Sequence, residues 1–151
     1  MGISLSYSKS RDLAMEITND SFLKCFESLK KMDEAPSLKP WLRRITVNTA
    51  IDYYRKDKRF QNHLEADGET PVFDEVYAPD QLAFEDILKL LRQLPEDQQL
   101  VFNLYEVEGY SHREVADRLE ITESSSRVYL TRAKSKLRQL IHQHMKEYAG
   151  R

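Results

Sequence analysis

Apolar residues recur along this chain at steps of three and four, the period of helices that bury one face, in stretches separated by proline, glycine or acidic breaks. Residues 11 to 32 are the first such stretch, with Ile17, Phe22, Phe26 and Leu29 predicted on the apolar side and charged residues on the other. EAPSLKP, Glu34 to Pro40, holds two prolines and breaks the pattern. A helix resumes from Trp41 to about Arg59. On its wheel Trp41, Leu42, Ile45, Thr49 and Tyr53 share one arc, and Arg44, Asn48, Ile51 and Arg55 form a stripe at steps of 4, 3 and 4. Val47, Ala50 and Tyr54 lie beyond that stripe, so this helix needs neighbours on two sides. Gln61 to Asp80, with ADGETP and APD, has no period and is acidic; it is expected to be a flexible linker that carries the domain boundary.

The pattern then restarts. Leu82 to Leu94 places Ile87, Leu90, Leu91 and Leu94 on one helical face, and Pro95 opens a helix through Val107 that Gly109 ends. Tyr110 to Arg138, YSHREVADRLEITESSSRVYLTRAKSKLR, predicts a helix, a three-residue turn and a second helix. Ser111 with Glu114 makes a capping box, Ala116 lets a second helix cross closely, Leu119 and Ile121 bracket the turn, and Thr122 caps the second helix. Ser126, Leu130, Ala133, Leu137 and Ile141 are expected to pack. Ser124, Ser125, Val128, Thr131, Arg132 and Ser135 fall opposite, where small hydroxyl side chains let the backbone approach base edges and arginine suits guanine O6 and N7. A leucine-alanine stripe alone describes many solvated helices. The capped, short-turn pair with a small, cationic outer face is what points to a helix-turn-helix reader of duplex DNA.

Charge sharpens this picture. The net charge of −2 conceals a partition: residues 1–64 hold 12 basic and 8 acidic side chains, 65–86 hold none and 8, and 87–151 hold 11 and 9. Two mildly basic blocks therefore flank an acidic connector, and an overall pI near 6.1 says little against a polyanionic partner. Cys25 is the only cysteine, which excludes intrachain disulfides and cysteine-rich zinc sites and fits the cytosol; it reads as a small apolar filler. No window is long and apolar enough to span a membrane, so no membrane insertion is expected. His63, His112, His142 and His144 lack the spacing of a metal site, and no cofactor or metal is implied.

Three segments, in order, resemble the extracytoplasmic-function sigma factors, small two-domain members of the sigma-70 family of bacterial transcription initiation factors. AMEITNDSFLKCF is similar to the family's core-binding helix, and KPWLRRITVNTAIDYYRKDKR to its Trp-Leu and Ile-x-x-Asn helix with a basic end. LRQLPEDQQLVFNLYEVEGYSHREVADRLEITESSSRVYLTRAKSKLR is similar to its C-terminal reader. The resemblance implies an all-α fold of two small helical domains, sigma region 2 over 1–60 and region 4 over 81–147, joined by the acidic linker 61–80. It implies no catalysis. The implied partners are core RNA polymerase, through the clamp helices of its largest subunit, promoter DNA, and an anti-sigma factor.

Carried onto this chain, the resemblance assigns Glu16, Asn19, Asp20, Phe22 and Lys24 to polymerase binding. It assigns Lys39, Arg44, Asn48 and Arg55 to the minus-10 region, with Asp52 expected to hold a partner among the helices and Trp41 to anchor the core. Ser124, Ser125, Arg127, Val128, Thr131 and Arg132 are assigned to the minus-35 element, with Lys134 and Arg138 on phosphates. This chain departs from the family pattern where Glu120 replaces the turn glycine, Ser126 a valine-like core residue, and Met15 and Asn19 an acidic residue and a glutamine. Ser126 is expected to hydrogen-bond its own backbone. The family also has a further helix before Ser10, and with only MGISLSYSKS there, Val47, Ala50 and Tyr54 are expected to lack a partner, as in a chain shortened at its start. Rival readings are a response-regulator or repressor output domain, disfavoured by the second DNA-facing block WLRRITVNTAIDYYRKDK, and an all-helical protein-interaction module.

Overall fold

A computed structural model describes residues 1–31, 37–61 and 82–149, and the chain divides into two compact units, one within residues 1–73 and one within 74–151. Helices are the only regular elements among the described residues. The expected linker beyond Gln61, and Met32 of the first predicted helix, lie outside the described residues.

The first unit holds α1 (Gly2–Ser6), α2 (Arg11–Leu29) and α3 (Leu38–Gln61). Ser10 starts α2, its side chain accepting from Leu13 N–H at 3.1 Å. The predicted apolar side of α2 is corrected by the packing. Ala14, Ile17, Ser21 and Cys25 are its buried residues, whereas Phe22, Phe26 and Leu29 are exposed by 49%, 62% and 43%. Three of the four buried side chains are small, and the larger rings face outward. Cys25 is indeed the small buried filler, and burial pushes its thiol pKa up.

α3 meets both α1 and α2, and buries Val47, Ala50, Ile51 and Tyr54. Ile51 thus leaves the stripe expected to run with Arg44, which is exposed. The expectation that Val47, Ala50 and Tyr54 lack a partner is also corrected. The first residues fold into α1 against α3, and Ser4, wholly buried, hydrogen-bonds Thr18 of α2 at 2.8 Å. Thr46 and Thr49 can be buried because their hydroxyls donate to the Leu42 and Ile45 carbonyls at 2.9 and 2.8 Å. Trp41 is half-buried.

The second unit holds α4 (Leu82–Arg92), α5 (Glu96–Phe102), a π-turn over Asn103–Val107, α6 (His112–Leu119) and α7 (Glu123–Ala149). α7 is the spine, packed by α4, α5 and α6, and Leu91, Leu94, Ala133 and Leu137 form one apolar cluster with Leu90 and Phe102 against it. Ile87, expected inside, is 56% exposed and Leu88 is buried instead. α4 stops at Arg92, so Leu94 does not belong to its wheel, and the buried centre moves towards Leu88 and Leu91. Along α7, Ser126, Leu130, Ala133 and Leu137 are buried as predicted, but Leu140 replaces Ile141 at the end of the row. Those two straddle the arc evenly, and the neighbour's position decides between them.

Candidate nucleic-acid interface

Local chemistry builds the helix-turn-helix. The Ser111 side chain accepts from Glu114 N–H at 3.2 Å and the Glu114 carboxylate accepts from Ser111 N–H at 2.8 Å, a complete capping box that holds the Glu114 carboxyl below its usual pKa. Glu120 then turns the chain with φ 57 and ψ 43, in the left-handed region, and Ile121 N–H reaches back to the Ala116 carbonyl at 3.1 Å. This is the position at which the sequence carries glutamate in place of a turn glycine. A non-glycine residue there costs about 1 to 2 kcal/mol, partly offset by the freedom glycine adds to the unfolded chain. Glu120→Gly is therefore expected to stabilise the second unit by about 0.5 to 1 kcal/mol. A urea midpoint unchanged or lowered in Glu120→Gly would show that the side chain contributes more than its backbone strain costs.

α7 begins at a hydroxyl cluster. Thr122 Oγ1 accepts from Ser125 N–H at 3.1 Å and lies 2.9 and 2.8 Å from the Ser124 and Ser125 hydroxyls, which confirms the expected cap. The outer face carries Ser124, Val128, Thr131, Arg132 and Ser135, all exposed, with Ser125 beside them half-buried. Arg127 is paired with Glu123 at 3.0 Å. Lys134 forms an ion pair with Glu106 of the π-turn, a contact that no sequence pattern signals. Arg132 and Arg138 are exposed and hold no ion pair among the described residues.

Ser126 departs from its expected backbone bond. Fully buried, it shares a 2.9 Å hydrogen bond with His112 Nδ1, and the His112 ring stacks on Tyr105 at 4.3 Å between centroids. Burial first, then the Arg127 charge, lowers the His112 pKa below that of a free imidazole.

In the first unit the residues assigned to polymerase binding separate into two flanks. Glu16, Asn19 and Phe22 lie on the exposed side with Met15, Leu23 and Phe26, three large apolar residues that the sequence did not assign to polymerase binding. Asp20 and Lys24 face α3 instead. Tyr53 Oη donates to Asp20 Oδ2 at 2.6 Å, and this bond, with burial and the nearby Asp20 and Glu16 charges, pushes the Tyr53 pKa up to about 12. Lys24 pairs with Asp52 at 3.1 Å, which gives Asp52 its partner among the helices. Of the minus-10 set, Lys39 and Arg44 are exposed and Asn48 and Arg55 half-buried. Asn48 lies in the wall of a cleft of about 260 Å³ between α2 and α3, with Lys24 and Lys31 beside it. Among the described residues no His, Cys, Asp and Glu group could hold a metal ion, and no helix is long and apolar enough to cross a membrane.

Comparison with known proteins accords with this geometry. Residues 1–60 match the family description "Sigma-70 region 2", and residues 84–137 match "Sigma-70, region 4". The chain is 25% identical over 148 residues to "ECF RNA polymerase sigma factor SigM" of Bacillus subtilis, covering 90% of this chain and 84% of that protein. It is 28% identical over 153 residues to "Probable RNA polymerase sigma factor RfaY" of Xanthomonas campestris pv. campestris, 93% of this chain but only 37% of that longer relative. In fold it is similar to the sigma factor RpoE of Bartonella quintana, solved in complex with the anti-sigma factor NepR, with a TM-score of 0.59 at 22% identity, covering 93% and 88% of the two chains. Two matches in chain order, each falling within one of the two helical units, place this protein in the extracytoplasmic-function class of the sigma-70 family.

Proposed function

We propose that this chain binds core RNA polymerase and directs it to promoters by recognising a minus-35 element with α7 and a minus-10 element with α3. The observation that carries the reading is the outer face of α7. It starts at a capped, hydroxyl-rich terminus and presents Val128, Thr131 and Arg132 on the side opposite its packed row, the arrangement duplex readout requires. Ser124, Ser125, Arg127, Lys134 and Arg138 flank that face, the cations placed for phosphates. On α3, Lys39, Arg44 and Arg55 supply cations and Asn48 a polar group at the cleft wall, which supports contact with a strand whose bases are unstacked.

Polymerase docks on the exposed arc of α2, where Glu16, Asn19 and Phe22 combine charge, amide and ring with Met15, Leu23 and Phe26. Asp20 and Lys24 hold α2 to α3 at its edge. The protein acts in the cytoplasm by binding alone, without catalysis or cofactor. An anti-sigma factor is a further partner, as for the Bartonella quintana protein.

The test is transcription in vitro by bacterial core polymerase on a promoter library, with and without this protein. Initiation at a defined subset of promoters only when the chain is present is the expected outcome. Initiation that ignores its addition would refute the proposal.

A further inference from the structure

Behind the outer face of α7 lies a contact that the duplex-reading role does not itself explain. Ser126 is wholly buried near the start of α7, and His112 is the first residue of α6. His112 Nδ1 and Ser126 Oγ are 2.9 Å apart, and Tyr105 of the π-turn closes the other side of the ring, 4.3 Å between centroids with the planes 25° apart. Three elements therefore meet at one imidazole. Charged groups around it are Arg127 and Glu123, paired with each other on α7, and Lys134, paired with Glu106 of the π-turn.

We propose that His112 is a positioning residue for duplex recognition: by bonding Ser126 it sets the angle at which α7 presents Val128, Thr131 and Arg132 to the groove. The inference rests on α7 being the minus-35 reader. An apolar contact would permit sliding, because dispersion is non-directional, whereas a buried hydroxyl holds its partner to one distance and direction and is costly to leave unpaired. The lever arm makes this matter. Arg132 lies six residues beyond Ser126, about 9 Å along the axis, so a tilt of about 10° at the contact moves it by about 1.5 Å. That exceeds the tolerance of a bidentate base contact, which is about 0.5 Å.

The test uses holoenzyme assembled from full-length chain and bacterial core polymerase, on a promoter library randomised in the minus-35 region. The readout is the ratio of transcripts from the most enriched to the median minus-35 sequences. His112→Asn places an amide where Nδ1 sits, able to donate or accept, while His112→Gln carries its amide to where Nε2 sits. His112→Asn is expected to keep the ratio within about twofold of wild type. His112→Gln and Ser126→Ala should each lower it by about tenfold, and the double variant no further. Should His112→Gln lose helix content, Ser126→Ala alone decides. Equal loss in His112→Asn and His112→Gln would mean that ring volume matters and the bond does not, which overturns the positioning role. So would an undiminished ratio in Ser126→Ala. A wild type showing no minus-35 preference overturns the duplex-reading proposal and this one with it, a result distinguishable from the others before any variant is made.

Discussion

Leu119→Ala is expected to remove about 2 to 5 kcal/mol from the stability of the second unit. Leu119 is 1% exposed, on the last turn of α6, and the residue after it is locked in the left-handed region, so the backbone has little freedom to close the void. The lost methyl and methylene groups forfeit their transfer free energy, and the unrelieved cavity adds to it. A domain of this size commonly has only about 5 kcal/mol to lose, so the helix-turn-helix should be largely unfolded near physiological temperature. The comparison that isolates the effect is Ile141→Ala, where a side chain 45% exposed beside α7's buried row should cost about 0.5 kcal/mol or less. Amide signals from residues 82–149 followed in urea report both variants. Equal midpoints would mean that the buried row of α6 contributes nothing that the rim of α7 does not.

Arg132→Ala is expected to weaken holoenzyme binding to the preferred minus-35 duplex by about 1 to 3 kcal/mol and to relax preference at one base position. Arg132 stands exposed on the outer face of α7 with no ion pair among the described residues, so its guanidinium would meet DNA without first breaking one. Lys134 makes the informative contrast. It is held by Glu106, and an exposed pair of that kind contributes under about 1 kcal/mol, so phosphate can replace the carboxylate. Lys134→Ala should then weaken all duplexes alike and lower the salt slope by about one. If Arg132→Ala lost as much on random DNA as on the preferred site, the arginine would be a phosphate contact and base readout would have to come from Val128 and Thr131.

The parts of this fold legible in the sequence are those set by neighbours three or four residues apart. Ser111 with Glu114, Thr122 at the head of α7, and the row Ser126, Leu130, Ala133, Leu137 all stand where local chemistry puts them. That Glu120 stands where a turn glycine is usual came from the family resemblance alone, and its φ of 57 agrees. The face of α2 was not legible because its buried stripe is Ala14, Ile17, Ser21 and Cys25, too weakly apolar to outweigh Phe22, Phe26 and Leu29 in any pattern. The partner of Ser126 was hidden for another reason: His112 is fourteen residues away, and nothing local distinguishes a hydroxyl bonded across two helices from one bonded to its own backbone. For the candidate site, which residues occupy the outer face of α7 could be read from periodicity. That Lys134, Asp20 and Lys24 are tied within the protein could not, since their partners Glu106, Tyr53 and Asp52 lie on other elements, whereas Arg127 and Glu123 stand four residues apart on one helix.

The π-turn gives the C-terminal unit an unusual sensitivity to length. Glu108 N–H reaches the Asn103 carbonyl at 3.0 Å, a span of five residues where an α-helix spans four, so this turn accommodates one residue more than regular geometry would. Removing one residue within Asn103–Val107 would let α5 continue as ordinary helix, with bonds spanning four residues in place of five. The side chains that hold His112 and Lys134, Tyr105 and Glu106, sit in this turn and would lose their present placement together. A one-residue deletion here should thus be far less tolerated than a substitution at the same positions. Descendants of this gene should conserve the spacing between Leu100 and Ser111 more strictly than the identity of the exposed residues between them.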